Sequence, residues 1–348
     1  MDLVHVGKYT KKEGSKMNDK IDFVIIWVDG NDKEWQKEKN KYNPDKNTDT
    51  REIRYRDWDN LKYWFRGVEK FAPWVNKIHF VTWGHLPKWL DTTNPKLNIV
   101  NHKDYMPKKY LPTFNSNSIE LNLHRIKDLS ENFVYFNDDM FIINRTKETD
   151  FFKNNIPCDS AILNANISHR ENRVHPDVAN MDVITSHFKK NEVIKKNFTK
   201  WFNLKYGKQL IRTICLMPWN ELTGIWNSHI PNAFKKSTFN ELWDKEYEVL
   251  DETSSHKFRD PLDVNQWLIE DWQLASGNFI PRKASIGASY ALCDDDEYNN
   301  NVYNKIREQK MKMICVNDMV SKDNYERVKN ELLEAFDAIL PEKSSFEK

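Results

Sequence analysis

The chain has 348 residues, with 53 Lys and Arg against 52 Asp and Glu, a formal net charge of +1. That balance argues against a protein held mainly by nucleic-acid phosphates or by anionic lipid, and the expected partners exclude nucleic acid. With 39% hydrophobic residues, 13 Trp, 13 Tyr and 19 Phe the chain is globular, and its nine glycines form neither G-x-G-x-x-G nor G-x-x-x-x-G-K-[ST], which excludes dinucleotide dehydrogenases and P-loop kinases.

Residues 1–20 are a polar, lysine-rich tail with no apolar stretch of a secretory leader. Residues 21–28, IDFVIIWV, form an apolar, β-branched run closed by Asp29-Gly30-Asn31-Asp32, which predicts a buried strand entering a polar loop. Leu61, Trp64, Phe65, Val68 and Phe71 fall on one helical face that Pro73 stops. Strands are predicted at 77–83 and 97–100. Ile119, Leu123, Ile126 and Leu129 make a second helical stripe, opened by Asn117 with Glu120 three residues on. A fourth strand, 133–136, runs straight into Asn137-Asp138-Asp139.

Beyond 150 the pattern turns mostly helical. Asp260-Pro261 predicts a helix start, Gly277 its end, and a last helix carries Tyr325, Val328, Leu332, Phe336 and Ile339 before Pro341. DDDEYNNN at 294–301 reads as a solvated loop. Strand, helix, strand, strand, helix, strand is the order of an α/β sheet covered on both faces. The four cysteines, Cys158, Cys215, Cys293 and Cys315, include no C-x-x-C and read as reduced thiols. The longest apolar run, 23–28, is far short of the roughly 18 residues of a membrane span, so a soluble, cytoplasmic protein is expected.

Sites in such sheets gather at the carboxyl ends of strands, where Asp29, Gly30, Asp32, Asp138 and Asp139 all fall. Two carboxylates after a strand suit Mg²⁺ or Mn²⁺, although an Asx turn ending the strand is the commoner cause of such a pattern. Arg54 and Arg56 share a face if their segment is extended and could fork a phosphate, or pair with Asp57 or Asp59. His229, before the Ile230-Pro231 turn, suits proton transfer near neutral pH, and Arg259 suits an anion; both fit structural roles too. The tryptophans could stack on sugars, although Trp64 and Trp267 sit on helical stripes and read as core.

Read together, IDFVIIWVDGND (21–32), the stretch 54–142 from RYRDWDN through LPTFNSNSIELNLHRI to FVYFNDDMF, SHIPNAFKKSTFNELW (228–243) and SHKFRDPLDVNQWLIEDWQLASG (255–277) resemble the Stealth family of sugar-1-phosphate transferases. That family includes bacterial capsule phosphotransferases and the animal enzyme that begins the mannose-6-phosphate tag. The resemblance implies a Rossmann-like α/β fold similar to that of glycosyltransferase-A enzymes. It implies a catalytic domain, placed at 21–290 (an α/β part to 150 and a mostly helical part from 151), and a divalent metal, Mg²⁺ or Mn²⁺, at Asp138 and Asp139; residues 291–348 lie outside the resemblance and read from their own pattern as a helical extension. His229 becomes an acid/base candidate and Arg259 a phosphate clamp. Asp29, Gly30, Asp32, Arg54 and Arg56 would lie on the nucleotide side, and Asn115, Asn117 and Arg125 near the sugar phosphate.

The expected reaction moves sugar-1-phosphate from a nucleotide diphosphate sugar to a glycan hydroxyl and releases a nucleoside monophosphate. The acceptor is an oligo- or polysaccharide, lipid-linked in one version, with at most peripheral contact at the inner face of the plasma membrane. The rival readings are a glycosyltransferase that releases a nucleoside diphosphate and a non-catalytic carbohydrate-binding protein.

Overall fold

The apolar runs form strands, in a computed structural model that describes residues 20–42, 56–167 and 176–348. In chain order the strands among these residues are β1 (Ile21–Ile26), β2 (Ile78–Thr82), β3 (Leu97–Asn101), β4 (Asn132–Phe136), β5 (Met140–Ile142), β6 (Phe152–Lys153), β7 (Ile156–Asp159), β8 (Asn232–Lys235), β9 (Ile280–Pro281), β10 (Gly287–Leu292) and β11 (Met313–Asp318). The central sheet has the order β3-β2-β1-β4-β8. Its first four strands are parallel and β8 pairs antiparallel with β4. In register, Phe23 of β1 faces Ile78 of β2 and Val134 of β4.

Alternation along each strand decides which core a residue joins. Phe23, Ile25, Val134 and Phe136 point to one face, under the helix Leu61–Phe71 and the last helix, Tyr325–Asp337. Val24, Phe133 and Tyr135 point to the other, under the helices Lys236–Lys245 and Trp267–Ser276. With both faces covered the central strands read as unbroken apolar runs, which makes them visible in the sequence. At the amino end of β1 the fully buried Asp22 accepts from Asn76 Nδ2 at 2.6 Å and Ser130 N–H at 2.8 Å, and meets His79 Nε2 at 3.2 Å.

Four predicted elements differ. The stripe from Ile119 to Leu129 is not one helix: a short helix, Ser116–Leu121, is capped by Asn115 and followed by a 3₁₀ turn, Leu123–Arg125. Asn122 breaks it, donating its amide to Ser118 O at 2.8 Å and to Ser254 Oγ at 3.1 Å in competition with the backbone ladder. Asp260-Pro261 does not open a helix, because Asp263 accepts from Asp260 N–H and from the Asn115 amide and folds the stretch into turns; the helix starts at Trp267. The stretch 294–301 is not a loop: Asp295 caps a helix, Asp296–Arg307, whose Val302, Tyr303 and Ile306 are buried.

The C-terminal segment, expected to be a helical extension, also supplies strand. β11 pairs parallel with β10 and antiparallel with β5, with Cys315 opposite Met140. The chain end then returns to the helix Leu61–Phe71, where Arg66 grips Glu347 through two 2.8 Å hydrogen bonds.

Candidate active site

A cleft of about 850 Å³ opens at the carboxyl ends of β1 and β4. The sheet order reverses there, since β2 and β3 lie on one side of β1 and β4 on the other, so the loops leaving β1 and β4 diverge.

The loop between β4 and β5 lays Asn137, Asp138 and Asp139 along the cleft. Asp138 is open to the cleft's solvent yet surrounded by protein mass. Burial and then the charge of Asp139 push its carboxyl up to about 7. Asp139 is fixed from behind, its carbonyl accepting from Val316 N–H of β11 at 2.9 Å. Glu120, on the helix Ser116–Leu121, also lines the cleft; burial pushes it up to about 7 against the opposing pull of Arg259. The Tyr135 hydroxyl donates to it at 2.9 Å.

His229 precedes β8 with φ of 50°, a left-handed conformation uncommon for a side-chain-bearing residue. Asn227, two residues earlier, holds the loop by donating to Glu270 at 3.0 Å and Asp271 at 3.3 Å, two carboxyls that burial raises well above the ordinary range. The imidazole packs edge-on to Trp267, and its Nδ1 lies 3.5 Å from the Asn317 amide. Arg259 lines the same cleft and donates to Ser116 Oγ at 2.5 Å.

The other predicted residues divide. Arg56 lines the cleft, donating to Val320 O at 2.9 Å, lying 3.6 Å from Asp318 and stacking over Tyr325; its acidic neighbour is Asp318 rather than Asp57 or Asp59. Asn117 also lines it. Asn115 is buried beside it, donating to Asp263 at 2.8 Å, and so ties the Arg259 loop to the helix Ser116–Leu121. Asp29, Gly30 and Asp32 build the turn after β1: Asp29 accepts from Asn31 N–H, Asp32 from Trp35 N–H, and Gly30 O from Gln36. None of the three lines the cleft. Arg125 is not brought to it either; it is exposed and stacks on Trp243. Arg54 lies outside the described residues.

Trp64 is core, as expected, but Trp267 is not: it is half-buried and forms cleft wall beside His229. Trp27 and Trp58 line the cleft as well. The residues missed in sequence are Glu120, His102, Asn317, Asp318 and Cys315. A signal existed for three of them, because MICV followed by Asn317-Asp318 repeats the pattern of an apolar strand ending in Asn and Asp seen at 133–139.

One ligand atom each from Asp139, His229 and Cys315 lies within 4.8 Å of the others. Asp139 Oδ1 is buried and has no hydrogen-bond partner among the described residues, a cost that a bound cation would relieve. Burial and the charge of Asp139 raise the Cys315 thiol well above its ordinary range, so it stays a weak, protonated donor. The group this cluster offers to a hard divalent cation is the Asp139 carboxylate.

Comparison with known proteins gives matches to Stealth protein conserved region 1 over residues 19–46 and conserved region 2 over residues 54–159. A capsular polysaccharide phosphotransferase of Streptococcus pneumoniae, WcwK, is 49% identical across 96% of this chain and 99% of its own length. The receptor polysaccharide phosphotransferase WefC of Streptococcus gordonii is 41% identical across 95% and 100%. The exopolysaccharide phosphotransferase cps2G of Lactiplantibacillus plantarum is 39% identical across 94% and 96%. Among solved structures, the galactosyltransferase LgtC aligns over 90% of this chain and 95% of its own at 9% identity, with a TM-score of 0.35. With near-full-length relatives at such identity and two conserved regions in order, the chain belongs to the Stealth protein family.

Proposed function

We infer that this chain is a polysaccharide phosphotransferase that moves sugar-1-phosphate from a nucleotide diphosphate sugar to a glycan hydroxyl. The observation that carries the reading is the 49% identity to a capsular polysaccharide phosphotransferase over nearly the whole of both chains. The cleft supports it, since it gathers acidic, imidazole and guanidinium groups at one strand end.

In this reading the acceptor oxygen attacks the sugar-side phosphorus, its bond to the bridging oxygen breaks, and the nucleoside monophosphate leaves with that oxygen. The Arg259 guanidinium offers a fork for the charge on the phosphoryl oxygens. His229 is the acid/base candidate for the acceptor proton, its ring held at the cleft wall by the Asn317 amide and the Trp267 edge contact. Asp138 and Asp139 would hold Mg²⁺ or Mn²⁺, which supplies Lewis-acid neutralisation of diphosphate oxygens when bound. Trp27 and Trp58 offer flat faces to the donor's rings.

The test follows ³¹P resonances while the protein, a divalent metal and an acceptor glycan are incubated with a panel of nucleotide sugars. A new phosphodiester signal and a nucleoside monophosphate are expected. Asp139→Asn should abolish both signals, and His229→Ala should slow them by about 10²–10⁴-fold. Release of nucleoside diphosphate with no phosphorus in the glycan would mean glycosyl transfer, and no turnover of any nucleotide sugar would leave a glycan-binding protein.

A further inference from the structure

The near-zero net charge of the chain conceals a segregated one. Residues 188–219, FKKNEVIKKNFTKWFNLKYGKQLIRTICLMPW, hold eight of the Lys and Arg residues but a single acidic residue, Glu192, which leaves the remainder net acidic. The same segment displays much of the exposed apolar surface: Leu204 is 90% exposed, Ile211 63%, and Phe198 and Trp219 57% each. The helix Leu210–Leu216 is turned inside out, with Thr213 buried and Ile211, Ile214 and Cys215 facing solvent.

This face is firmly mounted. Val193, Ile194, Trp201 and Tyr206 anchor it in the core, and buried Lys190 donates to the carbonyls of Leu216 and Met217 at 3.1 and 2.9 Å. Exposed Lys189, Lys195, Lys196, Lys205, Lys208 and Arg212 alternate along the segment with the exposed apolar groups.

We propose that this face docks on an anionic lipid bilayer. Apolar and aromatic side chains standing out among lysines are what a bilayer interface takes up: the apolar groups enter the headgroup and acyl boundary while the cations meet lipid phosphates. Among the described residues no helix is long and apolar enough to cross a membrane, so the contact is made from one side. A second copy is a poorer occupant, because a two-fold interface would set lysines against lysines. The face also adjoins the cleft. Arg212 donates to Asn164 at 2.6 Å, Asn164 donates to Asn166 at 3.0 Å, Asn166 donates to the carbonyl of Asp177 at 3.5 Å, and Asp177 lines the cleft. Docking would therefore hold the cleft beside the membrane, where a lipid-carried acceptor could reach it; that last step rests on the phosphotransferase reading, and the docking does not.

The test is flotation of the full chain with phosphatidylcholine vesicles that contain either no anionic lipid or about one third phosphatidylglycerol. Binding to the anionic vesicles, weakened by salt, and little to the neutral ones is expected. Leu204→Ser with Ile211→Ser and Trp219→Ser should lower the partition coefficient by at least ~10-fold. Lys195→Glu with Lys196→Glu and Lys208→Glu should lower it further, at roughly fivefold for each cation lost. These residues lie outside the cleft, so turnover on a soluble acceptor and the melting temperature should hold in both variants. Native protein that ignores anionic vesicles, or variants that bind as native does, would overturn the proposal, as would a native dimer that the serine variant dissolves. Binding without turnover rejects the phosphotransferase reading alone, and turnover without binding rejects the docking face alone.

Discussion

Glu120 and Asp22 are both buried carboxyls, and their surroundings drive them in opposite directions. At Glu120 burial dominates over the pull of Arg259 and the hydrogen bond from Tyr135, and the pKa rises from 4.5 to about 7. The native state then holds a proton that the unfolded chain releases, so this group's contribution is full below pH 4.5 and is lost as pH rises to about 7. Glu120→Gln should flatten the fall in unfolding free energy across that window by about 2–3 kcal/mol, measured by urea titration at its two ends. An identical fall in the variant would clear Glu120 of the effect. At Asp22 burial alone would raise the carboxyl, but hydrogen bonds from His79, Asn76 and Ser130 outweigh it and hold the pKa below the ordinary value. Its stabilisation is present above that ordinary value and disappears in acid. Neither direction was legible in sequence, because each depends on residues as distant as Ser130 and Arg259.

At the scale of elements, the helix Leu61–Phe71 was legible from its apolar stripe, yet its one glycine was silent. A Cβ on Gly67 would stand 2.5 Å from the carbonyl oxygen of Ile142 in β5, a backbone atom that cannot swing aside. The helix and β5 can approach that closely only without a side chain there, and β5 begins directly after Asp139. Gly67→Ala should therefore cost about 1–3 kcal/mol and shift β5, lowering turnover although no cleft residue has changed. Native melting temperature and native kcat in this variant would show that the contact relaxes freely. The short helix Ser116–Leu121 teaches a related lesson: periodic apolar residues continued past it, but the Asn122 side chain found better partners in Ser118 and Ser254 than the helix offered.

Across the whole molecule, the end of the chain and the helix Leu61–Phe71 depend on each other. Phe346 is buried against Phe65, Glu347 bridges to Leu90, and Arg66, 8% exposed, reaches both Glu347 and the carbonyl of Leu340. Deleting residues 341–348 would take both Glu347 hydrogen bonds from Arg66, leaving it Asp337 at 3.6 Å and the Leu340 carbonyl, and would uncover Phe65. A drop of roughly 5 °C in melting temperature is expected, since the burial of Phe346 and the charged hydrogen bonds of Glu347 are together worth about 3–5 kcal/mol. A truncated chain that melts with the native one would refute this clamp.

The sequence by itself determined the four parallel strands of the central sheet, because strands covered on both faces are mostly apolar and the loops after them polar, whereas the antiparallel β8 was not legible. It also singled out Asp138, Asp139, His229 and Arg259, which the fold does bring to one cleft. Only the tertiary structure decided which neighbours complete that cleft. Cys315, Asn317 and Asp318 lie more than a hundred residues beyond Asp139, and β11 meets β5 by antiparallel pairing whose register no local pattern encodes. The same holds for what the fold did not bring to the cleft: Arg125 turned outward onto Trp243, and Asp29 and Asp32 were used in making their own turn. Local chemistry names the groups able to act, whereas burial and partners, which depend on the whole chain, assign them their work.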